Sequence, residues 1–495
     1  MKVGGVARKK NDDSIDPPTR IVRLVIEAGA RLFHTANYDA FATIYVKDHL
    51  ETWRLRDTHF KHWIGGLYYH KVGTTPSDLN IGAALNVLEG KAAHEGREET
   101  VHVRVAGHDE CIYIDLANER WEAVEIASSG WRVMPFSRVK FRRTPGMQAL
   151  PTPVRGGSLA ELRPFVNVGS EEQFLLILAW LVAAFRPTGP YPVLVLEGNQ
   201  GSAKSTTSRF LRALIDPNTA MLRSIPASER DLQIAAENGW CQAFENVSEV
   251  KPWLSDCLCR LSTGGGFSTR RNYTDDEEKL FDAMRPIMLN GISVGLERAD
   301  LLDRSLVIVL DEIQAEKRLT ERQFWAQAEE ARPRILGALL DAVSCALRRI
   351  PEISIATLPR MADFAQWVTA AEPALGCREG AFLRAYNTNR QDSNELALDG
   401  SVLVPFLKTI AGQGNWSGTA SELLEMLRGE NGMDCRQQGW PKTAASLSGQ
   451  LRRLIPSLSS IGIVIRFQKT AGTGSKKIIA ISKVGNGQSL IDTES

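Results

Sequence analysis

No stretch of this sequence is apolar for long enough to cross a membrane. The longest uninterrupted run, FLLILAWLVAAF at 174 to 185, has 12 residues, where a spanning helix needs about 20; it reads as a buried helix. The start, MKVGGVARKKNDDSIDPP, carries charge but lacks the apolar segment of an export signal, so a reducing cytoplasm is the expected compartment. Cysteine is sparse, with 7 scattered residues, and an odd number without regular spacing is a poor disulfide framework. Cys257 and Cys259 form a lone C-x-C with no second pair to complete a zinc site. Charge of one sign is missing too, since 59 basic residues stand against 58 acidic ones. Only the distribution of charge can point to a partner. No G-x-G-x-x-G occurs, which argues against a dinucleotide fold, and no internal repeat is visible.

What is present is enough apolar material, 43% of 495 residues, for three or four domains at a prior of ~150 residues each. Residues 1–20 read as a tail, and 21–150 mix helical and strand-like segments as a small α+β domain. A linker rich in proline and glycine precedes a third unit, and we place it at 151–172. Over 173–315 the short apolar segments PVLVLE, WCQAFEN, PIMLN and SLVIVL alternate with helical stretches, the pattern of a parallel α/β sheet covered on both faces. Residues 316–414 have helical periodicity and read as a lid or collar. Residues 415–485 read as helix, helix and two strands, and 486–495 as a second tail.

Gly198 to Ser205 match the phosphate-loop pattern G-x-x-x-x-G-K-[ST] at every fixed position but one, where Ala203 replaces glycine. The preceding strand and following helix would aim backbone N–H groups and a helix N-terminus at phosphates. The expected nucleotide-binding set is Gly198, Asn199, Gln200, Gly201, Ser202, Ala203, Lys204, Ser205 and Thr206, with Lys204 reaching the β and γ phosphates of ATP and Ser205 ligating Mg2+. Hydrolysis also needs a carboxylate on a neighbouring strand. Glu245 ends WCQAFE about 40 residues on, and is followed by Asn246, an amide that cannot serve as a base. Asn290 ends the strand PIMLN, where it could orient water or sense the γ phosphate. Arg304, before SLVIVL, is the candidate to act on a neighbouring subunit's nucleotide.

This order of phosphate loop, Phe-Glu-Asn, strand-end asparagine and arginine resembles superfamily 3 helicases, the AAA+ motors of DNA viruses, plasmids and phages. AFENV is similar to the Phe-Glu-Asp-Val of some viral members, with Asn246 in place of aspartate. The likeness extends more loosely to poxvirus-type primase-helicases and replication proteins of integrated phage-like elements. It covers residues 175 to 310, and the C-terminus weakly. The resemblance implies an AAA+ P-loop core, a self-associating, hexameric ring, and a hairpin between the second and third motifs that grips DNA in the channel. Here that hairpin falls in STGGGFSTRRNYTDDEEKLF, where Arg270 and Arg271 would contact phosphates and Phe267 or Tyr273 would stack; its acidic TDDEE turn equally suits a plain surface hairpin.

Residues 437 to 485 contain eight lysines and arginines and no acidic residue. A helix-turn-helix carrying Arg452 and Arg453, with a basic wing bearing Lys469, Lys476 and Lys477, fits this winged-helix segment to DNA phosphates. All eight histidines lie in the first 108 residues, three of them as His59, His62 and His70, but without a matching ligand pattern. Asp115 stands alone where primase chemistry would need paired carboxylates. The sequence therefore reads as an ATP- and Mg2+-dependent DNA helicase or translocase that replicates a phage or mobile element, with a primase as a further possible partner. The alternatives are an ATP-gated replication initiator without strong unwinding, and a P-loop ATPase of phage defence.

Overall fold

The computed structural model of the chain describes residues 15–270, 278–281, 283–296, 298–399, 401–429, 440–469 and 477–483. The first helix, α1 (Pro17–Glu27), begins where Asp16 accepts a hydrogen bond from the Thr19 amide and proline occupies the first turn. Three strands follow, β1 (Arg31–His34), β2 (Ala40–Val46) and β3 (His49–Arg54), then α2 (Thr58–Val72) and α3 (Asp78–His94), capped by Asp57 and Ser77. With β4 (Arg97–Glu98) they form the sheet β3-β2-β1-β4. The helices bury Ile21, Val25, Phe60, Ile64, Leu85 and Leu88 with Ala42 and Ile44 of the sheet.

A second small sheet packs elsewhere. After β5 (Val101–His102) come β6 (Val105–His108), β7 (Cys111–Asp115), β8 (Ala123–Ala127) and β9 (Gly130–Met134), an antiparallel meander, and then β10 (Lys140–Phe141), which pairs with β5. Its residues Val105, Ile112, Ile114, Val124 and Ile126 belong to the large central core, not the N-terminal one. Packing thus splits the expected unit 21–150 near residue 100. The first half mixes helices and strands and the second is all strand, and local pattern does not reveal which core a strand joins.

Helix α4 (Glu171–Ala184) has eleven buried residues in succession, from Phe174 to Ala184. It covers the sheet made by β11 (Val193–Glu197), which leads into α5 (Lys204–Ile215) and α6 (Glu229–Asn238), then β12 (Gln242–Phe244) and α7 (Pro252–Thr263). The hairpin β13 (Phe267–Arg270) and β14 (Glu278–Phe281) follows, then β15 (Ile287–Gly291), the single-turn α8 (Ala299–Leu302) and β16 (Ser305–Val309). The strand order is β12-β15-β11-β16, all parallel. Along β11 successive side chains alternate between two cores: Val193 and Val195 face one, Leu194 and Leu196 the other. Both faces of the sheet are therefore covered, as the alternation of strands and helices predicted.

The 29-residue α9 (Glu321–Arg349) starts at a capping box of Thr320 and Gln323, and α10 (Ala362–Leu375) and α11 (Ala381–Asp399) pack with it against α4. The remaining elements are α12 (Val404–Gln413), β17 (Trp416–Thr419), α13 (Ala420–Gly429), α14 (Ala444–Ser460), β18 (Ile463–Lys469) and β19 (Lys477–Lys483), with sheet order β17-β19-β18. Val404, Leu407 and Ile410 of α12 share a core with Leu423, Leu447, Ile465 and Ile481. The C-terminal body accordingly begins near 401, not 415; a helix at the junction of two helical blocks carries no sequence mark of its owner. In turn, α14 packs against α8 and α11. Among the described residues no helix is long and apolar enough to cross a membrane.

One buried arginine ties these parts together. Arg104, 0% exposed, donates to Asp216 Oδ1 at 3.0 Å and to the carbonyls of Asp115 and Gln148 at 2.9 and 2.8 Å. Asp216, at the end of α5, also accepts from the Trp240 and Cys241 amides at 3.0 Å each.

Candidate functional site

The turn from β11 into α5 is shaped by residues without bulk. Gly198 has φ +151, and a Cβ there would sit 2.6 Å from the Leu310 carbonyl and 2.8 Å from Ser202 Oγ; only glycine fits. Gly201 has φ +84. Ala203, the N-cap of α5, also lies in the left-handed region at φ 60 and ψ 28, and no side chain caps the helix. Its first-turn amides are left for another acceptor. Lys204 folds back over the loop, donating to the Gly198 and Asn199 carbonyls at 2.7 Å each and to Ser202 Oγ at 3.4 Å. Partial burial holds its ammonium below the usual lysine range. Gln200 and Gly201 form the exposed crown of the turn, and Ser205 and Thr206 lie half-buried on the first turn of α5.

The parallel order places β15 between the loop strand and β12. Asn290, in register with Leu196 of β11 and 1% exposed, donates through Nδ2 to Ser208 Oγ of α5 at 2.8 Å and accepts from the Asn246 amide at 3.3 Å. It thus joins the helix after the loop to the end of β12. Glu245 follows β12 directly and is half-buried, its amide bonded to the Arg223 carbonyl at 3.0 Å. Asn246 is exposed with φ 54, a conformation to which asparagine is better suited than most residues.

Arg304 stands at the opposite end of the sheet from the loop, since its carbonyl accepts from Val193 at the start of β11. Its Nη1 donates to the Asp300 carbonyl at 2.8 Å and is ion-paired with the Asp300 carboxylate. Asp300 also pairs with Arg360, and Asp303 pairs with Arg360 and Arg390 at 3.1 and 2.6 Å. Two aspartates of this corner therefore hold three arginines, and Arg304 is out of reach of its own chain's loop.

The reading from sequence missed what lies over the loop. Asn167 Nδ2 donates to the Asp311 carbonyl and, at 3.5 Å, to that of Ser202, while the Ile313 amide donates to the Gly201 carbonyl at 3.3 Å. Arg318 reaches back so that its Nη2 is 3.6 Å from the point where a side chain on Gly201 would begin. No local pattern marks these residues, because Arg318 is more than a hundred positions from the loop.

The hairpin expected between the second and third motifs is present as β13 and β14, with Arg270 opposite Glu278 in register. Arg271 and Tyr273 lie outside the described residues, as do the side chains of Phe267 and Arg270. In the C-terminal body the Arg452 guanidinium lies 4.3 Å over the Phe467 ring. Lys469 and Lys477 are exposed and directly opposite each other across β18 and β19, a like-charged pair that costs stability unless an anion is near. Lys476 and the side chain of Arg453 lie outside the described residues. Of the histidines, His59 stacks on Trp53 with centroids 4.6 Å apart, and among the described residues no three His, Cys, Asp or Glu are grouped to hold a metal. Asp115 is paired with Arg143 at 3.0 Å.

Comparison with known families resolves the class of protein. Residues 159–395 match the replication protein of actinomycete integrative conjugative elements, and residues 401–493 match the C-terminal domain of that same protein. The chain belongs to this replication-protein family. It is accordingly a replication protein of a mobile element, and the join between the two matches coincides with the start of the C-terminal body. No curated protein matches the chain. Among solved structures, the C-terminal region of NrS-1 aligns over 95% of this chain and 100% of its own, at 12% identity and a TM-score of 0.42. The JCV helicase aligns over 46% of this chain and 66% of its own, at 15% identity and a TM-score of 0.21.

Proposed function

We propose that this replication protein is an ATP-dependent DNA helicase or translocase, built on an AAA+ P-loop core and acting as a hexameric ring. The observation that carries the reading is the joint placement of the 198–205 loop on β11, Asn290 on the adjoining strand and Glu245 on the next. In that order Glu245 would organise a metal two strands from the loop, and Asn290, on the strand between them, would act as the polar sensor. What supports a triphosphate at this loop is the first turn of α5, whose N–H groups no side chain caps, at the end of a turn that Gly198 packs closely against the Leu310 carbonyl.

In this reading residues 198–206 cradle the phosphates and Lys204 turns from its loop carbonyls to their oxygens, while Ser205 and Glu245 would hold Mg2+, which when bound would supply charge neutralisation. Asn290 orients water or reports the terminal phosphate, passing its state through the Asn246 amide, and Arg304 serves the nucleotide of a neighbouring subunit. The hairpin carrying Arg270 and Arg271 engages DNA in the channel. The order α12, β17, α13, α14, β18, β19 with sheet β17-β19-β18 supports a winged helix, whose Arg452, Arg453, Lys469, Lys476 and Lys477 grip DNA phosphates.

Ala203 in place of the loop's second glycine and Asn246 in place of a second acidic residue favour a second reading, an ATP-gated initiator that binds DNA without strong unwinding. One assay separates the two. Displacement of a strand from a forked duplex with ATP, lost in Lys204→Ala, supports the motor; ATP-dependent binding of origin DNA without displacement supports the initiator, and absence of any ATP effect refutes both.

A further inference from the structure

Resting on the reading above, we propose that Arg318 is a phosphate-binding residue of the same site, supplying in cis a second cation over the crown of the loop. The segment after β16 is tied to the loop from both sides. The Leu310 amide donates to the Glu197 carbonyl at 2.8 Å, the Ile313 amide to that of Gly201 at 3.3 Å, and Asn167 bridges Asp311 to Ser202. These bonds hold the segment 310–313 against the loop, the Arg318 Nε is anchored to that segment at the Ile313 carbonyl, and its Nη2 comes within 3.6 Å of where a Cβ on Gly201 would sit.

The electrostatics call for such a group. A triphosphate brings several negative charges, whereas the loop itself offers one ammonium, Lys204, that lies among loop acceptors. Arg318 is weakly committed elsewhere. Its Nε donates to the Ile313 carbonyl at 3.3 Å, its Nη2 is 3.9 Å from Glu312 Oε1, and its side chain is 56% exposed. An exposed pair at that distance contributes little, while a guanidinium fork on phosphate makes strong charge-assisted bonds. Glu312 then competes with the phosphate for the Arg318 guanidinium.

The test is titration of the full chain with Mg2+ and ATP by calorimetry, alongside thermal melts. Arg318→Ala is expected to weaken ATP about tenfold with an unchanged melt, Arg318→Lys to retain part of the affinity, and Glu312→Gln to tighten it two- to threefold. The opposite signs of the Arg318 and Glu312 variants are what a merely structural ion pair would not produce. Wild-type affinity in Arg318→Ala, or equal weakening in Arg318→Ala and Glu312→Gln, overturns the assignment while leaving the nucleotide site intact. Failure of the wild-type chain itself to bind ATP overturns the proposed function and this residue's role together.

Discussion

Two residues that depart from the usual nucleotide-site pattern, Ala203 and Asn246, share one backbone property: both lie in the left-handed region. Asparagine tolerates that conformation through its short polar side chain, whereas alanine pays roughly 1 kcal/mol for it. Ala203→Gly is therefore expected to raise stability by about 0.5 to 1 kcal/mol in a denaturant melt, less than the full strain because glycine gains freedom in the unfolded chain. His102 makes a second prediction at this scale. Burial, then the nearby Arg285 and His108, push its pKa down to about 4, so the folded chain excludes a proton that the unfolded chain accepts near 6.5. Stability should thus fall as the pH drops from 6.5 and finish falling near 4. Replacing His102 with asparagine should flatten that part of a stability profile measured by melts from pH 7 to 4.

Elements are held by polar groups as well as by apolar ones. Glu372, 3% exposed on α10, accepts from the Gly380 and Phe382 amides at 3.0 and 2.9 Å and so caps the start of α11. Glu372→Ala leaves one buried and one half-buried donor unpaired and should cost about 2 to 3 kcal/mol in a chemical melt. At α8, Asp300 and Asp303 gather Arg304, Arg360 and Arg390 from three parts of the chain. On the ring reading, Arg304→Ala should remove most ATPase turnover while leaving ATP affinity near wild type, because Arg304 cannot reach its own loop; parallel turnover and binding measurements check this. Equal loss of both would place the residue in folding and not in catalysis.

Across the whole molecule the small sheet, α5 and the start of β12 meet at Arg104 and Asp216. Removing the arginine strands a buried carboxylate, so Arg104→Met is expected to cost on the order of 3 to 5 kcal/mol by equilibrium unfolding, with the central sheet and the meander loosening together. The loop at 198–205, the alternation of strands and helices, and the basic C-terminal segment were legible in the sequence because each is written in neighbouring residues or a short period. The hairpin at β13 and β14 was legible for the same reason. Which core each strand enters was not. The meander over 105–134 and helix α12 carry ordinary local patterns, and only packing assigns the first to the central core and the second to the C-terminal body.

By itself the chain's order of residues determined that a strand, a glycine-bearing turn and a helix would be joined at residue 198, since backbone preferences act over a few positions. The tertiary structure alone decided that Asn290 stands beside that turn, that Arg318 overhangs it and that Arg304 is clamped at the far end of the sheet. Those placements depend on strand order and on ion pairs between residues far apart in the chain, and the cost of bringing such residues together is recovered only when the whole core closes.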